Sequence, residues 1–516
     1  NLGLECTSIN TGPSFENVYV GKIINVKKHE NSEHLFLCSV DVGDENKLSI
    51  VCGAPNVKKE ILVPVAVVGA KILNGKLKIK KSKIRGEYSH GMICSEKELE
   101  VGEDDSGIMI LDNSFKIGEK LEVALNLKQD TIIDFDLTPN RGDCLSYLGI
   151  AREIAILESQ NHSIIRKKMI DSLFFEYSKN DEKVEDLISI NVEDVEACPV
   201  YNGKIIKGIN VKESPSWLKS KLKSHNMKSI NIVVDLANYV MLSLGQPMHT
   251  FDYDKIHSNQ INVDFAKNDT NIKTLDSQIR KLSDKNLLIK DGHNPIAIAG
   301  VIGGQNTEID SKTKNVFIES ALFEPKIVRK SAKSLDLSTD ASRRYERSVD
   351  SELIEESLEI LCGLIIKYCG GKACQGLLRS NNSTHIDHRV TFKLDNCNGY
   401  LGTNLKNQEV SDILHKVGIK NKYNKNKYDC FIPSYRAHDV SRDVDIYEEI
   451  ARVYGFDNIK PSNSFSVNFS SIKNDSDLND NLKLNISSKG FIEHYSNSLL
   501  SDKEYNYFAE NEGVFV

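Results

Sequence analysis

The chain has 516 residues, a formal net charge of −7, 40% hydrophobic residues and 27% charged residues. This length exceeds what one hydrophobic core organises, so we expect three to five compact units. No apolar run approaches the ~20 residues that span a bilayer, which argues against membrane-spanning classes. The start carries neither a signal segment nor an initiator Met. Both ends look cut, so we expect a fragment.

The eleven cysteines are scattered singly along the chain. They form no C-x-x-C pair and no Cys/His cluster at zinc spacing. An odd number of such cysteines predicts reduced, mostly packed thiols rather than disulfides.

Residues 17–125 are predicted to be β-rich. Short β-branched runs are separated by Gly, Asn and Pro, and such spacing suits a small closed barrel; the runs lie at 18–24, 35–42, 48–52 and 62–68. Between Lys76 and Gly86 the residues alternate, which predicts Leu77 and Ile79 inside and a row of lysines outside. Such a row could follow a phosphate backbone. Lysines that protect a solvated edge strand are the alternative.

The rest of the chain alternates between strands and helices. We predict a strand at Thr131–Leu137, a helix at Leu145–Leu157 and an α/β region at 186–385 that closes with an amphipathic helix. That helix places Ile354, Leu358, Leu361 and Ile365 on one face and ends at Gly370. A smaller unit at 388–462 carries helices near Gln408–Lys416 and Ile446–Tyr454.

Polar and glycine-rich motifs in the α/β region indicate a pocket whose chemistry the residues alone leave open. They are Asp235–Tyr239, Gly245–His249, Ala299–Gly304, Phe317–Ser320 and Ser338–Arg347. Glycines beside strand-like runs leave room for a ligand. A lone His is more often a structural residue than a catalyst, and a lone Glu after two apolar residues is also compatible with simple pairing to a nearby Arg.

Four carboxylates, Asp439, Asp445, Glu448 and Glu449, surround the start of the last predicted helix. Positions 445, 448 and 449 share one helical face. Such a cluster suits Mg²⁺. The alternative is a set of acids favoured by the helix N-terminus, with Arg442 and Arg452 as partners.

In this order, the motifs resemble the bacterial-type phenylalanyl-tRNA synthetase β-subunit family along nearly the whole chain. The resemblance rests on residues 29–35, 51–57, 84–96 and 138–144, with the pocket motifs and the acidic cluster. It implies a multidomain α+β fold with an inserted OB-fold β-barrel, an α/β editing module, a small helix-turn-helix-like domain and the start of a class II synthetase-like domain. The implied boundaries are 1–16 with 126–185 (B1), 17–125 (OB-fold), 186–385 (B3/B4 editing), 386–462 (B5) and 463–516.

The resemblance also implies an activity and its site. Members of the family form an α₂β₂ phenylalanine-tRNA ligase, in which the α subunit charges tRNA(Phe) with ATP and the β subunit hydrolyses mischarged Tyr-tRNA(Phe) in the cytoplasm. The matching editing residues are His249, Glu319 and Thr339, with substrate-binding Lys228, Gly303 and Ala341. The matching tRNA-binding residues are Lys78, Lys80, Lys83, Arg85 and Ser89. The four carboxylates match a Mg²⁺ site shared with the α subunit.

Two positions depart from the family pattern. The family usually has Arg where this chain has Lys228, and Thr where it has Ala237. Lys keeps the charge but loses the planar fork of Arg. The alternatives to an editing subunit are therefore a non-editing tRNA-binding scaffold and, less in keeping with the B5-like unit, a free-standing deacylase.

Overall fold

The structure is a computed structural model. It describes residues 3–11, 15–73, 75–102, 104–125, 127, 130–380, 388–461, 475–495 and 499–508. The chain divides into two compact units, Asn1–Ile459 and Lys460–Val516. All eleven cysteines are unpaired and ten of them are buried, which confirms the predicted packed thiols.

A nearly closed sheet forms the first part of the chain. Its elements, with the strands that flank it, are β1 (Glu5–Thr11), β2 (Glu16–Lys28), β3 (Phe36–Asp41), β4 (Leu48–Cys52), β5 (Leu62–Ile72), β6 (Leu77–Lys78), β7 (Ser82–Ile84), β8 (Glu87–Ser89), β9 (Gly91–Ile93), α1 (Leu121–Ala124) and β10 (Asp130–Asp136). The sheet order is β4-β3-β2-β5-β6, and β9 also pairs with β5. The His90 amide donates to the Ser49 carbonyl (2.8 Å), which brings the β9 edge to β4.

The strand pair β1–β10 brackets this sheet. The two strands are antiparallel, with Glu5 opposite Asp136 and Thr11 opposite Asp130. The chain therefore enters and leaves the sheet at neighbouring positions. Gly21 on β2 leaves room for the side chain of Val65 on the neighbouring strand β5, because a Cβ there would lie 2.5 Å from Val65 Cγ2.

The predicted alternation after Lys76 is wrong in part. Ile79 is buried, but Leu77 is 39% exposed, and the run breaks into the short strands β6 and β7. The run divides because β6 pairs with β5, whereas β7 pairs with β8. In the tight β7–β8 hairpin, Arg85 (φ 47°) and Gly86 (φ 105°) both adopt left-handed conformations. Such paired positive φ values are typical of a two-residue turn.

Helices, two large sheets and one two-stranded sheet build the central part of unit one. The helices are α2 (Tyr147–Leu157), α3 (His162–Leu173), α4 (Val184–Leu187), α5 (Ser216–Ser224), α6 (Ile232–Leu244), α7 (Pro325–Ser334), α8 (Asp340–Tyr345) and α9 (Ile354–Cys369). The strands are β11 (Lys179–Lys183), β12 (Ser189–Val192), β13 (Val200–Lys207), β14 (Met248–Asp252), β15 (Gln260–Phe265), β16 (Asn271–Lys273), β17 (Ile279–Lys281), β18 (Leu287–Asp291), β19 (Asn294–Ile298), β20 (Ile302–Gly303), β21 (Asn315–Leu322), β22 (Lys372–Gln375) and β23 (Leu378–Arg379).

The sheet β11-β22-β13-β21-β14 lies between two hydrophobic cores. Residues of alternate parity along its strands face opposite sides. Tyr201 and Phe317 join the core shared with the second sheet, β12-β15-β18-β19-β20. Ile206 and Ile318 join the core shared with α6 and α9. The predicted amphipathic helix is confirmed as α9, with its four predicted apolar residues buried and Gly370 at its C-cap.

The last part of unit one is a small sheet with three helices. Its elements are β24 (Arg389–Lys393), α10 (Leu394–Leu401), α11 (Asn407–Lys416), β25 (Lys420–Asn424), β26 (Lys427–Phe431) and α12 (Asp443–Tyr454). Both predicted helices are confirmed, although the second begins three residues earlier than the apolar pattern indicates. Its earlier start follows from Asp445, whose carboxylate accepts from the Arg442 amide (2.8 Å) and caps the first turn.

The second unit contains α13 (Asp475–Ser487) and α14 (Asp502–Phe508). The predicted synthetase-like segment, 463–516, lies partly outside the described residues. None of the helices in the described ranges combines the length and the apolar character that crossing a membrane requires.

Candidate functional site

Two adjacent strands of the central sheet bring the main predicted pocket residues together. His249 on β14 lies directly opposite Glu319 on β21 in antiparallel register, so both side chains project to the same side. They line a small cavity with Gly303 and Ala341. The remaining lining residues are mostly apolar: Pro247, Met248, Ile289, Ala297, Ile298, Gly300, Val301, Ile302 and Tyr345. Four of the six predicted editing-pocket residues therefore meet at one place.

Glu319 is a buried acid with one protein partner for its carboxylate. Its side chain is 4% exposed, and the Tyr201 hydroxyl donates to Oε2 at 2.7 Å. Burial raises the pKa of Glu319 to about 7, and the bond from Tyr201 offsets part of that rise. Near neutral pH the carboxyl is thus poised between its charged and neutral forms.

His249 is held against an aromatic ring and a glycine. Its imidazole meets Phe251 edge to face, with ring centroids 4.5 Å apart. Burial lowers the pKa of His249 to about 4, so the ring is neutral at physiological pH. A Cβ on Gly303 would lie 2.4 Å from His249 Cε1. Gly303 therefore leaves the space that the imidazole occupies.

Thr339 has a structural position beside the cavity. Its hydroxyl donates to the Val301 carbonyl (2.8 Å) and accepts from the Ser342 amide (3.0 Å), so it caps α8 and ties that helix to the loop after β19. Thr339 is absent from the lining, whereas Ala341 lies in it. The hydroxyl hydrogen is bonded to a backbone carbonyl, so Thr339 has a helix-capping position in this structure.

Lys228 does not join the other predicted pocket residues. It is exposed in the segment between α5 and α6 and is not part of the cavity lining. Ala237 is buried in the α6 core and also lies outside the lining. The two departures from the family pattern therefore leave the described cavity wall unchanged.

Tyr201 and Tyr345 also contribute to the site. Tyr345 lies within the predicted motif Ser338–Arg347, whereas the sequence did not single out Tyr201. The Tyr345 hydroxyl lies 3.0 Å from the Pro247 carbonyl and 3.2 Å from the Ala321 carbonyl and can donate its hydrogen to either, which fixes the wall beside Glu319. Strand alternation would place Tyr201 on one face of β13, but its approach to Glu319 depends on the pairing of β13 with β21. A single sequence carries no direct signal for that pairing.

The basic row of the barrel is exposed. Lys78, Lys80, Lys83 and Arg85 all reach solvent, and no ion pair found among the described residues involves the first three. The fifth predicted RNA contact, Ser89, is buried. Its hydroxyl accepts from the Val51 amide (3.1 Å) and donates to the Gly91 carbonyl (2.9 Å), so we remove Ser89 from the candidate surface.

An exposed aromatic ring lies beside the basic row, on the strand paired with β7. Tyr88 is 51% exposed, with the ammonium groups of Lys81 and Lys83 at 4.9 and 5.5 Å from its ring centroid. An aromatic face flanked by cations offers both stacking for a base and attraction for phosphates. The sequence contains this ring within the motif at 84–96, but alternation alone does not reveal its exposure.

The four predicted magnesium ligands do not form a cation site in this structure. Glu449 is buried between Arg436 (2.8 Å) and Arg452 (2.5 Å). Burial alone would raise its pKa, but the two guanidinium groups lower it to about 2. Arginine partners also occupy the other two carboxylates that lie near the helix start, with Arg442 on Asp445 (2.9 Å) and Arg436 on Asp439.

Glu448, the remaining predicted ligand, is exposed on α12. The structure therefore supports the alternative of arginine-neutralised acids at a helix start, because a cation would have to displace guanidinium groups already bound. The predicted Mg²⁺ site does not fit this arrangement.

One other group of metal-type donors occurs within the described ranges, namely Asp143, Cys144 and Glu153. Arg141 already bonds to Asp143 (2.9 Å) and Glu153 (2.6 Å). Burial raises the pKa of the Cys144 thiol, which keeps its proton. This group is a neutralised buried network, and Glu153 continues it to Arg452 (2.6 Å) on α12.

Comparison with known proteins adds three domain matches in chain order. Residues 18–120 match a putative tRNA binding domain, residues 197–370 a B3/4 domain and residues 390–456 a tRNA synthetase B5 domain. The nearly closed sheet, the pocket and the small helical sheet each fall within one of these matches.

Whole-chain relatives agree with the domain matches. The phenylalanine–tRNA ligase β subunits of Syntrophus aciditrophicus and Fusobacterium nucleatum are each 40% identical, over 465 and 461 residues. Each alignment covers 89% of this chain and 56% of the relative, so the chain spans little more than half of their length. A solved N-terminal fragment of the phenylalanyl-tRNA synthetase β subunit from Pyrococcus horikoshii is 17% identical to this chain. The match covers 63% of this chain and 87% of that fragment, and its TM-score of 0.31 is too low to support a conclusion about the fold. The chain belongs to the family of phenylalanine–tRNA ligase β subunits.

Proposed function

We propose that this chain is the editing part of a phenylalanine-tRNA ligase. In this proposal it hydrolyses Tyr-tRNA(Phe) and, within an α₂β₂ assembly, supports the ATP-dependent charging of tRNA(Phe) by the α subunit. The observation that carries the proposal is the placement of Glu319 opposite His249 in an otherwise apolar cavity.

Editing answers a physical need of the ligase. A hydrophobic pocket built for phenylalanine rejects an analogue that merely adds a hydroxyl by only about a hundredfold. A second pocket with a buried hydrogen-bonding group has the opposite preference and binds tyrosine better than phenylalanine. A tyrosyl hydroxyl satisfies Glu319, whereas a phenylalanyl ring leaves the buried carboxyl without that partner, at a cost of about 1–3 kcal/mol or more.

The residues favour water as the nucleophile. The described lining contains no Ser or Cys, and the Thr339 hydroxyl is engaged with backbone groups. His249 is neutral, so its imidazole can accept a hydrogen bond from a water molecule and orient it toward the ester. In the proposed arrangement Glu319 holds the far end of the tyrosyl side chain while His249 lies near the ester.

Hydrolysis of Tyr-tRNA(Phe) by the full-length β subunit with its α partner tests this proposal. We expect the parent to deacylate Tyr-tRNA, and Glu319→Ala and His249→Ala to lose most of that activity while charging with phenylalanine continues. Glu193→Ala, an exposed carboxylate of the same region, is the matched control and should leave deacylation unchanged. A parent that leaves Tyr-tRNA intact but still charges phenylalanine would favour the non-editing scaffold.

The scaffold alternative has a specific observation behind it, the exposed basic surface of the barrel. We propose that Lys78, Lys80, Lys83 and Arg85 follow the tRNA backbone and that Tyr88 stacks on an unpaired base. This role is independent of the editing pocket.

Binding measurements at several salt concentrations test the barrel surface. Removing one phosphate contact should weaken tRNA binding and reduce the slope of log affinity against log salt by about one. Tyr88→Ala should weaken binding with little change in the slope. Ser89→Ala removes a buried hydroxyl from the same barrel and should destabilise the protein without changing tRNA affinity at temperatures where the fold persists.

The ligase reaction uses ATP, which we assign as a substrate of the complete complex. We assign Mg²⁺ to no residue of this chain, because the four predicted carboxylates do not fit a cation site.

A further inference from the structure

A buried phenol reaches the acid of the pocket from the side opposite His249. Glu319 lies on β21 between two neighbours in the sheet, with His249 opposite it on β14 and Gly203 opposite it on β13. Tyr201 lies two residues before Gly203 and therefore projects from the same face of β13. It is fully buried and is not part of the cavity lining.

The contact divides the two oxygens of the carboxyl group. Tyr201 donates its hydroxyl hydrogen to Oε2 of Glu319 at 2.7 Å, and Glu319 itself lines the cavity. With Oε2 held by the protein, Oε1 is the oxygen that remains for a ligand. The rigid phenol also limits rotation of the carboxyl group, because both partners are buried in close-packed surroundings.

Resting on the editing function proposed above, we propose that Tyr201 is a positioning and specificity-determining residue: its hydroxyl orients Glu319 so that one carboxyl oxygen accepts the hydroxyl of a tyrosyl side chain. Tyr201 acts through Glu319 and does not itself touch the substrate. The site thereby takes one aromatic ligand with a single hydrogen-bond donor at the end remote from the ester.

The protonation states of the groups around Glu319 make this role measurable by pH. Four titratable groups face it, namely Tyr201 from β13, His249 from β14, Cys198 from the segment before β13, and Tyr345 from α8. Burial raises the pKa values of Cys198, Tyr201 and Tyr345 well above their usual range, and all three stay protonated. His249 stays neutral because burial lowers its pKa to about 4. Among these groups, Glu319 is the one that titrates near pH 7.

The test is Tyr201→Phe in the full-length β subunit with its α partner. Deacylation of Tyr-tRNA and of Phe-tRNA is measured from pH 6 to pH 9, with kcat and KM separated. Removing a hydrogen bond to a charged group should lower kcat/KM for Tyr-tRNA about ten- to a hundredfold. It should also move the midpoint of the pH profile upward, because the hydrogen bond that lowers the pKa of Glu319 is gone. The preference for Tyr-tRNA over Phe-tRNA should fall.

A double-mutant cycle separates positioning from a general structural effect. If Tyr201 acts through Glu319, the variant Glu319→Ala with Tyr201→Phe should show the same deacylation as Glu319→Ala alone, because alanine leaves no acceptor for the Tyr201 hydroxyl. Tyr428→Phe is the matched control, because Tyr428 is an equally buried phenol that donates to the Asn407 carbonyl (2.8 Å) far along the chain. It should leave the pH profile of deacylation unchanged.

The outcomes are distinct. An active parent whose Tyr201→Phe variant keeps the same kcat/KM, pH profile and preference overturns this inference and leaves the editing function standing. Additive losses in the double mutant also overturn it, because they assign Tyr201 a separate structural role. A parent without Tyr-tRNA hydrolysis overturns the editing function and this inference together.

Discussion

Replacing Glu319 by Gln should remove a specific pH dependence from the stability of the central region. Burial raises the pKa of Glu319 from 4.5 to about 7. Between these values the folded protein binds a proton that the unfolded chain has lost, so the free energy of unfolding falls as pH rises. The difference between the two pKa values corresponds to about 3 kcal/mol. The parent should lose this stability between about pH 4.5 and pH 7, whereas Glu319→Gln should not.

The single tryptophan provides the assay. Trp217 lies on α5 and packs edge to face on Tyr239 of α6, with ring centroids 5.3 Å apart, so its fluorescence reports unfolding of the region that contains Glu319. Urea denaturation at pH 5, 6, 7 and 8 gives the free energy of unfolding for the parent and for Glu319→Gln. Glu193→Gln gives the baseline for exchanging an exposed carboxylate. If the parent and Glu319→Gln curves run parallel across this range, Glu319 does not hold its proton as the burial argument requires.

Three further perturbations have defined outcomes. Gly303→Ala places a Cβ against the His249 ring; it should abolish Tyr-tRNA hydrolysis while phenylalanine charging persists, and retained hydrolysis would show that the ring shifts without consequence. Arg436→Ala leaves Glu449 buried with one partner fewer and should cost about 3–5 kcal/mol in urea denaturation; a loss below about 1 kcal/mol would contradict the buried network. Lys83→Glu should weaken tRNA binding relative to the parent, most strongly at low salt. A loss of affinity that does not depend on salt would remove Lys83 from the contact surface.

Periodicity predicted much of the secondary structure. Short β-branched runs separated by Gly, Asn and Pro located β2 to β5, and the apolar spacing of Ile354, Leu358, Leu361 and Ile365 located α9. These patterns are local, so one sequence contains them. The pairing of strands in a sheet is not a local property, because β13 and β21 are separated by more than a hundred residues. The contact of Tyr201 with Glu319 depends on that pairing and could not be predicted.

The errors share a physical cause, since each concerns which partner a polar side chain finds. The spacing of Asp445, Glu448 and Glu449 correctly indicated a helix start. The sequence also offered Arg442 and Arg452 as partners, but it could not show whether arginines or a cation would neutralise the acids. Ser89 lies in a motif beside the basic row, and only the fold shows its hydroxyl bonded to two backbone groups. Lys228 was matched by motif position, and the structure places it away from the cavity.

The strand pair β1–β10 has a consequence for how this architecture could arise and be altered. Thr11 and Asp130 face each other across the pair, so the chain enters and leaves the barrel at neighbouring positions. An insertion or deletion of the segment between these positions adds or removes the barrel as a unit. The path of the remaining backbone then stays unchanged. A short turn that joins β1 directly to β10 should therefore give a protein that keeps the pocket and lacks the basic surface, and the two proposed roles could be inherited, lost or exchanged separately.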